Sequence, residues 1–338
     1  MNMLNFAIIG CGRISKNHID ALIYNSNNCN LVAVCDIIKD KAFQRKNQYE
    51  DNVANADVKV YIDYIQMLED EKIDVVVICT ESGYHAKHAI DCLNHGKHVL
   101  IEKPMALSLE DADRIIELGK EKTLKVGVCH QNRFNPPIQK LRRAIEEERF
   151  GKIINGTARI LWTRDQNYYN QAPWRGTKVL DGGTLMNQCI HNIDLLQWMM
   201  GSEVERITCE RDTFLRSIEM EDFGAILIRF KNGSIGIVEG SACVYPQNLE
   251  ETLSIFGEKG TVVIGGLAVN KIQTWQFADE RDYDSEEGNT EVDSVYGKGH
   301  ISLYRDFIGA IRDNREPYIS GKEGKKALEI ILRAYDNA

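Results

Sequence analysis

The chain has 338 residues, 43% of them apolar and 27% charged, which suits about two globular domains. Lys and Arg number 41 against 50 Asp and Glu, a formal net charge of −9, so a nucleic-acid partner, which needs a basic face, is not expected. The nine cysteines contain no C-x-x-C pair and mostly lie in apolar runs, as suits a reducing compartment. No leader-like N-terminus and no run near the ~18 apolar residues of a membrane span occur. A soluble, cytoplasmic protein without a membrane partner is expected.

In chain order, residues 5–9 read as a buried strand ending in Gly10-Cys11-Gly12-Arg13-Ile14-Ser15, followed by a helix carrying His18, Ala21 and Leu22. Strand, glycine turn and helix are the context of a dinucleotide-binding fingerprint. Gly10 would allow the tight turn and Gly12 the approach of a pyrophosphate to the helix N-terminus at Arg13 and Ile14. Ser15 stands in the third glycine position and is small enough for it. Residues 31–35 form a second strand ending at Asp36, 26 residues after Gly10. An acid near this place accepts hydrogen bonds from the adenosine ribose. No Arg follows it directly, so NAD is expected rather than NADP; a plain strand-end turn residue is the other reading of Asp36. Further strands fall at 73–79, 98–101 and 125–128, with helices over 84–95 and 108–121, the latter opened by Ser108. The alternation predicts an α/β fold, a doubly wound parallel Rossmann sheet over residues 1–125.

Ligands of such sheets bind beyond the carboxyl ends of the strands. Thr80 and His85 follow one strand there, and Glu102-Lys103-Pro104 follows the next. The proline keeps Lys103 out of the helical region. Lys103 then either hydrogen-bonds a substrate hydroxyl or is a surface lysine paired with Glu102.

The second half changes character. Strands are predicted at 152–164, 204–213, 223–231, 234–245, 250–256, 261–264 and 271–277, with a turn at Lys231-Asn232-Gly233-Ser234. Helices are predicted at 184–199, 301–313 and 322–335. This pattern predicts an α+β domain over 126–338, an open and mostly antiparallel sheet flanked by helices. The acidic run 279–293 reads as a solvated loop.

The helix at 184–199 carries Asn187, His191 and Asp194 at spacings of four and three, which places them on one face. Polar groups on an otherwise apolar helix are costly unless partnered. His191 suits a general base near neutral pH; a core histidine satisfied by Asp194 is the alternative. One histidine without a second His or a nearby Cys does not make a zinc site, so no metal is expected.

Gly10-Cys11-Gly12-Arg13, Glu102-Lys103-Pro104 and the Gly182-Gly183…His191-x-x-Asp194 segment occur in this order over nearly the whole chain. The combination resembles the glucose–fructose oxidoreductase / inositol dehydrogenase / rhizopine catabolism (Gfo/Idh/MocA) family. The resemblance implies that Lys103 and His191 belong to an active site, and that the chain assembles as a homodimer or homotetramer through the open sheet. Asn187 stands where the family often has Asp, Glu81 where proline is usual, and Cys189 where Gly or Ala is usual. Trp174-Arg175-Gly176-Thr177, Asp181-Gly182-Gly183, Met186-Asn187-Gln188 and residues 245–250 are similar to the subgroup of UDP-N-acetylglucosaminuronate (UDP-GlcNAcA) 3-dehydrogenases, which serve surface polysaccharide synthesis.

That resemblance implies a mechanism. NAD would lie on Gly10, Gly12, Arg13, Ile14, Asp36, Thr80, His85, Glu102 and Lys103. His191 would remove the C3 hydroxyl proton while hydride leaves C3, and Lys103 would hydrogen-bond the same oxygen. Asn187 and Gln188 would orient the sugar. Some relatives reoxidise NADH with 2-oxoglutarate, which the resemblance adds as a candidate further partner. A pyrophosphate and a carboxylate need cations, and residues 149–178 hold Arg149, Lys152, Arg159, Arg164, Arg175 and Lys178 against Asp165 alone, a local charge of +5. Arg164 and Arg175 are the candidates for the anion, with ordinary surface arginines as the alternative. Trp162, Tyr168, Tyr169 and Trp174 interleave with them. A dehydrogenase of a neutral polyol of the inositol type would not need this charge, and a non-catalytic NAD-linked regulator would not need Lys103 and His191.

Overall fold

The computed structural model describes residues 3–70, 72–286, 288–291 and 297–338. The chain forms two compact units: the segment up to Cys129 with His300–Lys325, and His130–Gly299 with Lys326–Ala338. The division read at 125/126 lies at 129/130, and residues 300–325, grouped from sequence with the second domain, cluster with the first.

In the first unit, strands and helices alternate: β1 (Leu4–Ile9), α1 (Ser15–Tyr24), β2 (Cys29–Cys35), α2 (Lys39–Glu50), β3 (Lys59–Tyr61), α3 (Tyr64–Asp70), β4 (Val75–Ile78), α4 (His85–Asn94), β5 (His98–Ile101), α5 (Leu109–Glu121) and β6 (Val126–Val128). All six strands are parallel, in the order β3-β2-β1-β4-β5-β6. The apolar runs of β1, β4 and β5 are buried, as strands covered on both faces must be. The order reverses direction between β1 and β4, the place where such sheets bind ligands. Ser108 caps α5, its Oγ accepting from the Asp111 N–H at 3.1 Å. Sequence patterning did not reveal α2 or β3. The first is strongly polar and buries only Ala42, Arg45 and Tyr49, and the second is three residues long.

The second unit contains α6 (Pro136–Glu146), β7 (Ile153–Leu161), α7 (Gln166–Asn170), α8 (Gly183–Asn187), α9 (Ile190–Met200), β8 (Val204–Asp212), β9 (Phe223–Phe230), β10 (Ile235–Ser241), β11 (Glu250–Gly257), β12 (Gly260–Gly265) and β13 (Lys271–Phe277). Its sheet runs β13-β12-β11-β7-β10-β9-β8 and is antiparallel except for the β7–β10 pair. The predicted helix over 184–199 is two helices. The Thr184 carbonyl accepts from both the Gln188 and Cys189 N–H groups at 2.9 and 3.1 Å, which closes α8, and α9 restarts from the Cys189 carbonyl. Cys189 fits where a smaller residue is usual because Gly240 faces it: a Cβ on Gly240 would stand 2.6 Å from the Cys189 Sγ. Helices α10 (Gly299–Arg312) and α11 (Gly321–Asp336) complete the chain. Among the described residues no helix is long and apolar enough to cross a membrane.

Candidate active site

In the first unit the glycine turn follows β1. Gly10 has a φ of +90°, and a Cβ there would meet the Cys79 carbonyl carbon and oxygen and the Thr80 nitrogen at 2.7 Å, so only glycine fits. At Gly12 no atom lies within 4 Å of an added Cβ, and the N-terminus of α1 has no side-chain cap. A glycine face open to its surroundings beside an uncapped helix start is what a pyrophosphate requires. Arg13 is exposed and Ile14 half-buried at this helix start. Ser15 is buried and its Oγ donates to the Gly12 carbonyl at 2.6 Å, so the third position braces the turn. Asp36 accepts from the Cys11 N–H at 2.7 Å and the Ile38 N–H at 2.8 Å. It thus ties the glycine turn to the end of β2, and each oxygen keeps a further lone pair for a ribose hydroxyl.

Thr80 and His85 follow β4. The Thr80 Oγ1 lies 3.1 Å from His88 Nδ1. His85 is buried, with Nδ1 2.7 Å from the Pro104 carbonyl and Nε2 2.9 Å from the Thr80 carbonyl. Burial holds its pKa below the ordinary imidazole value. A neutral ring has one N–H and so donates to one of these carbonyls at a time; with both ring edges against backbone, His85 sits between the loops after β4 and β5 rather than offering an edge to a cofactor.

Lys103 is half-buried and its bond to Pro104 is cis. Glu102, read as its surface partner, is instead 5% exposed and faces inward. One carboxylate oxygen lies 2.9 Å from His18 Nε2 and 3.6 Å from His300 Nε2, and the other accepts from the Lys103 N–H at 3.2 Å. Burial would raise the Glu102 pKa, but His18 and His300 hold it well below the usual carboxylate value. His18, Glu102 and Cys129 bring donor atoms within 4.8 Å of one another, a grouping able to hold a metal ion, though the hydrogen bonds already account for the carboxylate.

In the second unit His191 is the second residue of α9, half-buried, with its ring edge-on to His130 at 5.6 Å. Asp194 does not serve it. Asp194 is fully buried and paired through two hydrogen bonds of 2.7 and 2.6 Å with buried Arg133. Burial would raise its pKa, but the Arg133 charge keeps it below the usual value. The expected polar stripe thus divides: Asp194 anchors α9, Asn187 closes α8, and His191 stands between them. Asn187 donates to Asp181 Oδ1, and Gln188 Nε2 donates to Asn187 Oδ1 at 2.7 Å and to the Tyr168 hydroxyl at 3.1 Å.

Arg164 and Arg175 join the same network. Arg164 Nε donates to Gln188 Oε1 at 3.1 Å, and Arg175 Nη1 donates to the Tyr168 hydroxyl at 2.5 Å. Their guanidinium carbons lie 5.2 and 4.3 Å from the Tyr168 ring centre, and 4.7 and 4.5 Å from the ring centres of Trp162 and Trp174 respectively. Among the described residues neither arginine forms an ion pair, and the buried Arg175 Nε has no hydrogen-bond partner. Buried Glu251, whose charge Arg164 would feel, is pushed up to about 8 by burial, which favours its neutral form.

Two other arginines of the +5 segment are engaged elsewhere. Arg159 is paired with Glu239 and Glu250, both at 2.9 Å. Arg149 is held by Asp279 and Asp284 at 3.1 and 2.7 Å. The acidic run is accordingly not simply solvated: two of its carboxylates clasp Arg149 and its Tyr283 is buried. Residues 287, 292 and 293 of that run lie outside the described residues. Sequence reading missed His130, Arg133 and Glu251. A run of four polar residues, 130–133, one residue after β6 was the available signal for the first two.

Residues 4–130 match the oxidoreductase family with an NAD-binding Rossmann fold, and residues 138–263 match the GFO/IDH/MocA C-terminal domain. The chain is 37% identical to the WlbA dehydrogenase of Bordetella pertussis, solved in complex with NADH and UDP-GlcNAcA, with a TM-score of 0.90 over 100% of this chain and 96% of that one. It is 36% identical to the WlbA dehydrogenase of Chromobacterium violaceum, solved with the same two molecules, with a TM-score of 0.91 over 100% and 94% of the two chains. The scyllo-inositol 2-dehydrogenase (NAD(+)) of Bacillus subtilis is 29% identical over 97% of this chain and 92% of its own.

Proposed function

The chain belongs to the GFO/IDH/MocA oxidoreductase family and is an NAD-dependent sugar dehydrogenase, and on that premise we propose that it oxidises the C3 hydroxyl of UDP-GlcNAcA to the 3-keto sugar, a step toward surface polysaccharide. The observation that carries this reading is the Arg164–Tyr168–Arg175 group, whose two arginines form no ion pair among the described residues, in a chain that is 37% identical to a protein solved with UDP-GlcNAcA. Two guanidinium groups suit a substrate with a pyrophosphate and a carboxylate. A neutral polyol would leave both without a counter-charge.

Bound NAD supplies the hydride acceptor. Gly10, Gly12, Arg13 and Ile14 hold its pyrophosphate and Asp36 its ribose, with Thr80 along the β4 end. His191 takes the proton of the C3 hydroxyl, and Lys103 donates a hydrogen bond to the same oxygen as negative charge develops there. Asn187 and Gln188 orient the sugar, since each is fixed by neighbours within the network.

The test begins with the purified protein, denatured to identify any nucleotide it releases. Fresh enzyme is then given NAD with UDP-GlcNAcA or with inositol, with and without 2-oxoglutarate. NADH formation, or 2-hydroxyglutarate formation when 2-oxoglutarate is present, is expected with the sugar nucleotide alone. Turnover of inositol and none of UDP-GlcNAcA would replace this reading with the polyol one.

A further inference from the structure

The first unit contains a buried hydrogen-bonded chain that the reaction as described does not use. Tyr304 and His18 are both fully buried, and the Tyr304 hydroxyl lies 2.8 Å from His18 Nδ1. On the other side of the ring, Nε2 lies 2.9 Å from Glu102 Oε1. Burial keeps His18 below the ordinary imidazole pKa, so the ring is neutral and has one N–H to give. Glu102, held as a carboxylate, can only accept. The proton of His18 therefore sits on Nε2 and points at Glu102, and Nδ1 accepts from the Tyr304 hydroxyl. The order of donation is fixed: Tyr304 to His18 to Glu102. Glu102 Oε2 then accepts the Lys103 N–H at 3.2 Å. One residue on, the Pro104 carbonyl lies 2.7 Å from buried His85.

A surface lysine needs no such support. Four buried polar side chains from α1, α4, α10 and the end of β5 converge on a two-residue segment, and desolvating them is costly unless their geometry is used. We propose that His18 and Tyr304, acting through Glu102, and His85, acting through the Pro104 carbonyl, are positioning residues for Lys103. They hold the backbone on both sides of it so that its ammonium group meets the reacting oxygen without reorganisation. This inference rests on the assignment of Lys103 proposed above.

The variants Lys103→Met, His18→Leu, His18→Gln and Tyr304→Phe test it, with kcat, sugar KM, NADH affinity and thermal midpoint measured for each. Glutamine can place an N–H where His18 Nε2 stands, so it preserves the donation to Glu102 that leucine abolishes. Lys103→Met is expected to lose at least about 100-fold in kcat. His18→Leu should lose roughly 10- to 100-fold in kcat, the scale of a hydrogen bond to a charged group, with sugar KM and NADH affinity within about twofold of the parent. His18→Gln should recover most of that loss. Tyr304→Phe, which removes one oxygen atom, should lose about 3- to 10-fold in kcat and decides the matter if His18→Leu does not fold. A parental kcat in folded His18→Leu or Tyr304→Phe, beside an inactive Lys103→Met, overturns the positioning role. So does a His18→Leu loss that His18→Gln leaves unrepaired, which would mean that shape rather than donation matters. An active Lys103→Met instead overturns the assignment of Lys103 itself, whatever His18 does.

Discussion

Asp36 accepts one backbone N–H on each carboxylate oxygen, from Cys11 and from Ile38. Asparagine at this position would turn an amide N–H toward one of those donors. Asp36→Asn is therefore expected to weaken NADH binding about as much as Asp36→Ala, by roughly 10- to 100-fold, in a fluorescence titration; near-parental affinity in the asparagine variant would show that the backbone contacts are dispensable. His191 makes a different prediction. A positioned general base contributes about 10²–10⁴-fold, so His191→Asn should lose that much in kcat from about pH 6 to 9, and retained turnover across this range would remove His191 from the chemistry. The positions of the glycine turn, Asp36 and Lys103 were legible in the sequence, because each follows a strand; His191 was read in the middle of one helix, whereas it is the second residue of α9. The partners were not legible. Arg133 is 61 positions from Asp194, and His18 is 84 from Glu102 and 286 from Tyr304, distances over which no periodicity carries information.

At the scale of elements, α9 is fixed by one buried ion pair and overlooked by one buried acid. Removing one member of a buried pair leaves an uncompensated charge, which costs about 3–5 kcal/mol. Asp194→Asn should lower the urea midpoint of the enzyme accordingly, and a shift below about 1 kcal/mol would mean that Arg133 finds another partner. Glu251, on β11, works in the opposite sense to most carboxylates. Its folded value of about 8 lies above its ordinary value of 4.5, so the fold favours the protonated acid. Its penalty is absent below about pH 4.5, grows as pH rises toward about 8, and is constant above. Glu251→Gln, which keeps the shape and removes the titration, should match the parent in thermal midpoint near the lower pH and exceed it increasingly up to the higher one. A difference that does not change with pH would show that Glu251 is ionised in the fold. The sequence revealed the strand carrying Glu251 but not its burial, since an acidic pair at 250–251 reads as a strand end. In the sheet, Glu250 turns out to Arg159 and Glu251 turns in.

At the scale of the molecule, the formal charge of −9 describes no single surface, because acidic and basic segments far apart in sequence pair off, as Arg149 does with Asp279 and Asp284, while Arg164 and Arg175 form no ion pair among the described residues. The division of the chain is likewise not sequential. It passes between the two units after Cys129, after Gly299 and after Lys325. The segment 300–325 gives the first unit Tyr304 and Phe307, both buried, with Tyr304 packed on Phe6. It also gives the Ile319 carbonyl that accepts from Val128 N–H at 3.0 Å, and Arg312, which donates to Asn28 Oδ1 at 2.8 Å. No local pattern marks such a return: 301–313 reads as an amphipathic helix and nothing in it names the sheet it covers. Burial of each large aromatic contributes about 1.5–3 kcal/mol, against the 5–15 kcal/mol that a whole domain typically has. A fragment ending at residue 129 should therefore be unfolded or nearly so by circular dichroism and should not bind NADH. Gly299 lies against the Gln131 carbonyl, so a short Gly-Ser linker can join residue 129 directly to 300. The joined chain, residues 1–129 followed by 300–325, is expected to fold and to bind NADH, whereas parental NADH affinity in the 1–129 fragment alone would show that the returning segment is no part of the cofactor unit.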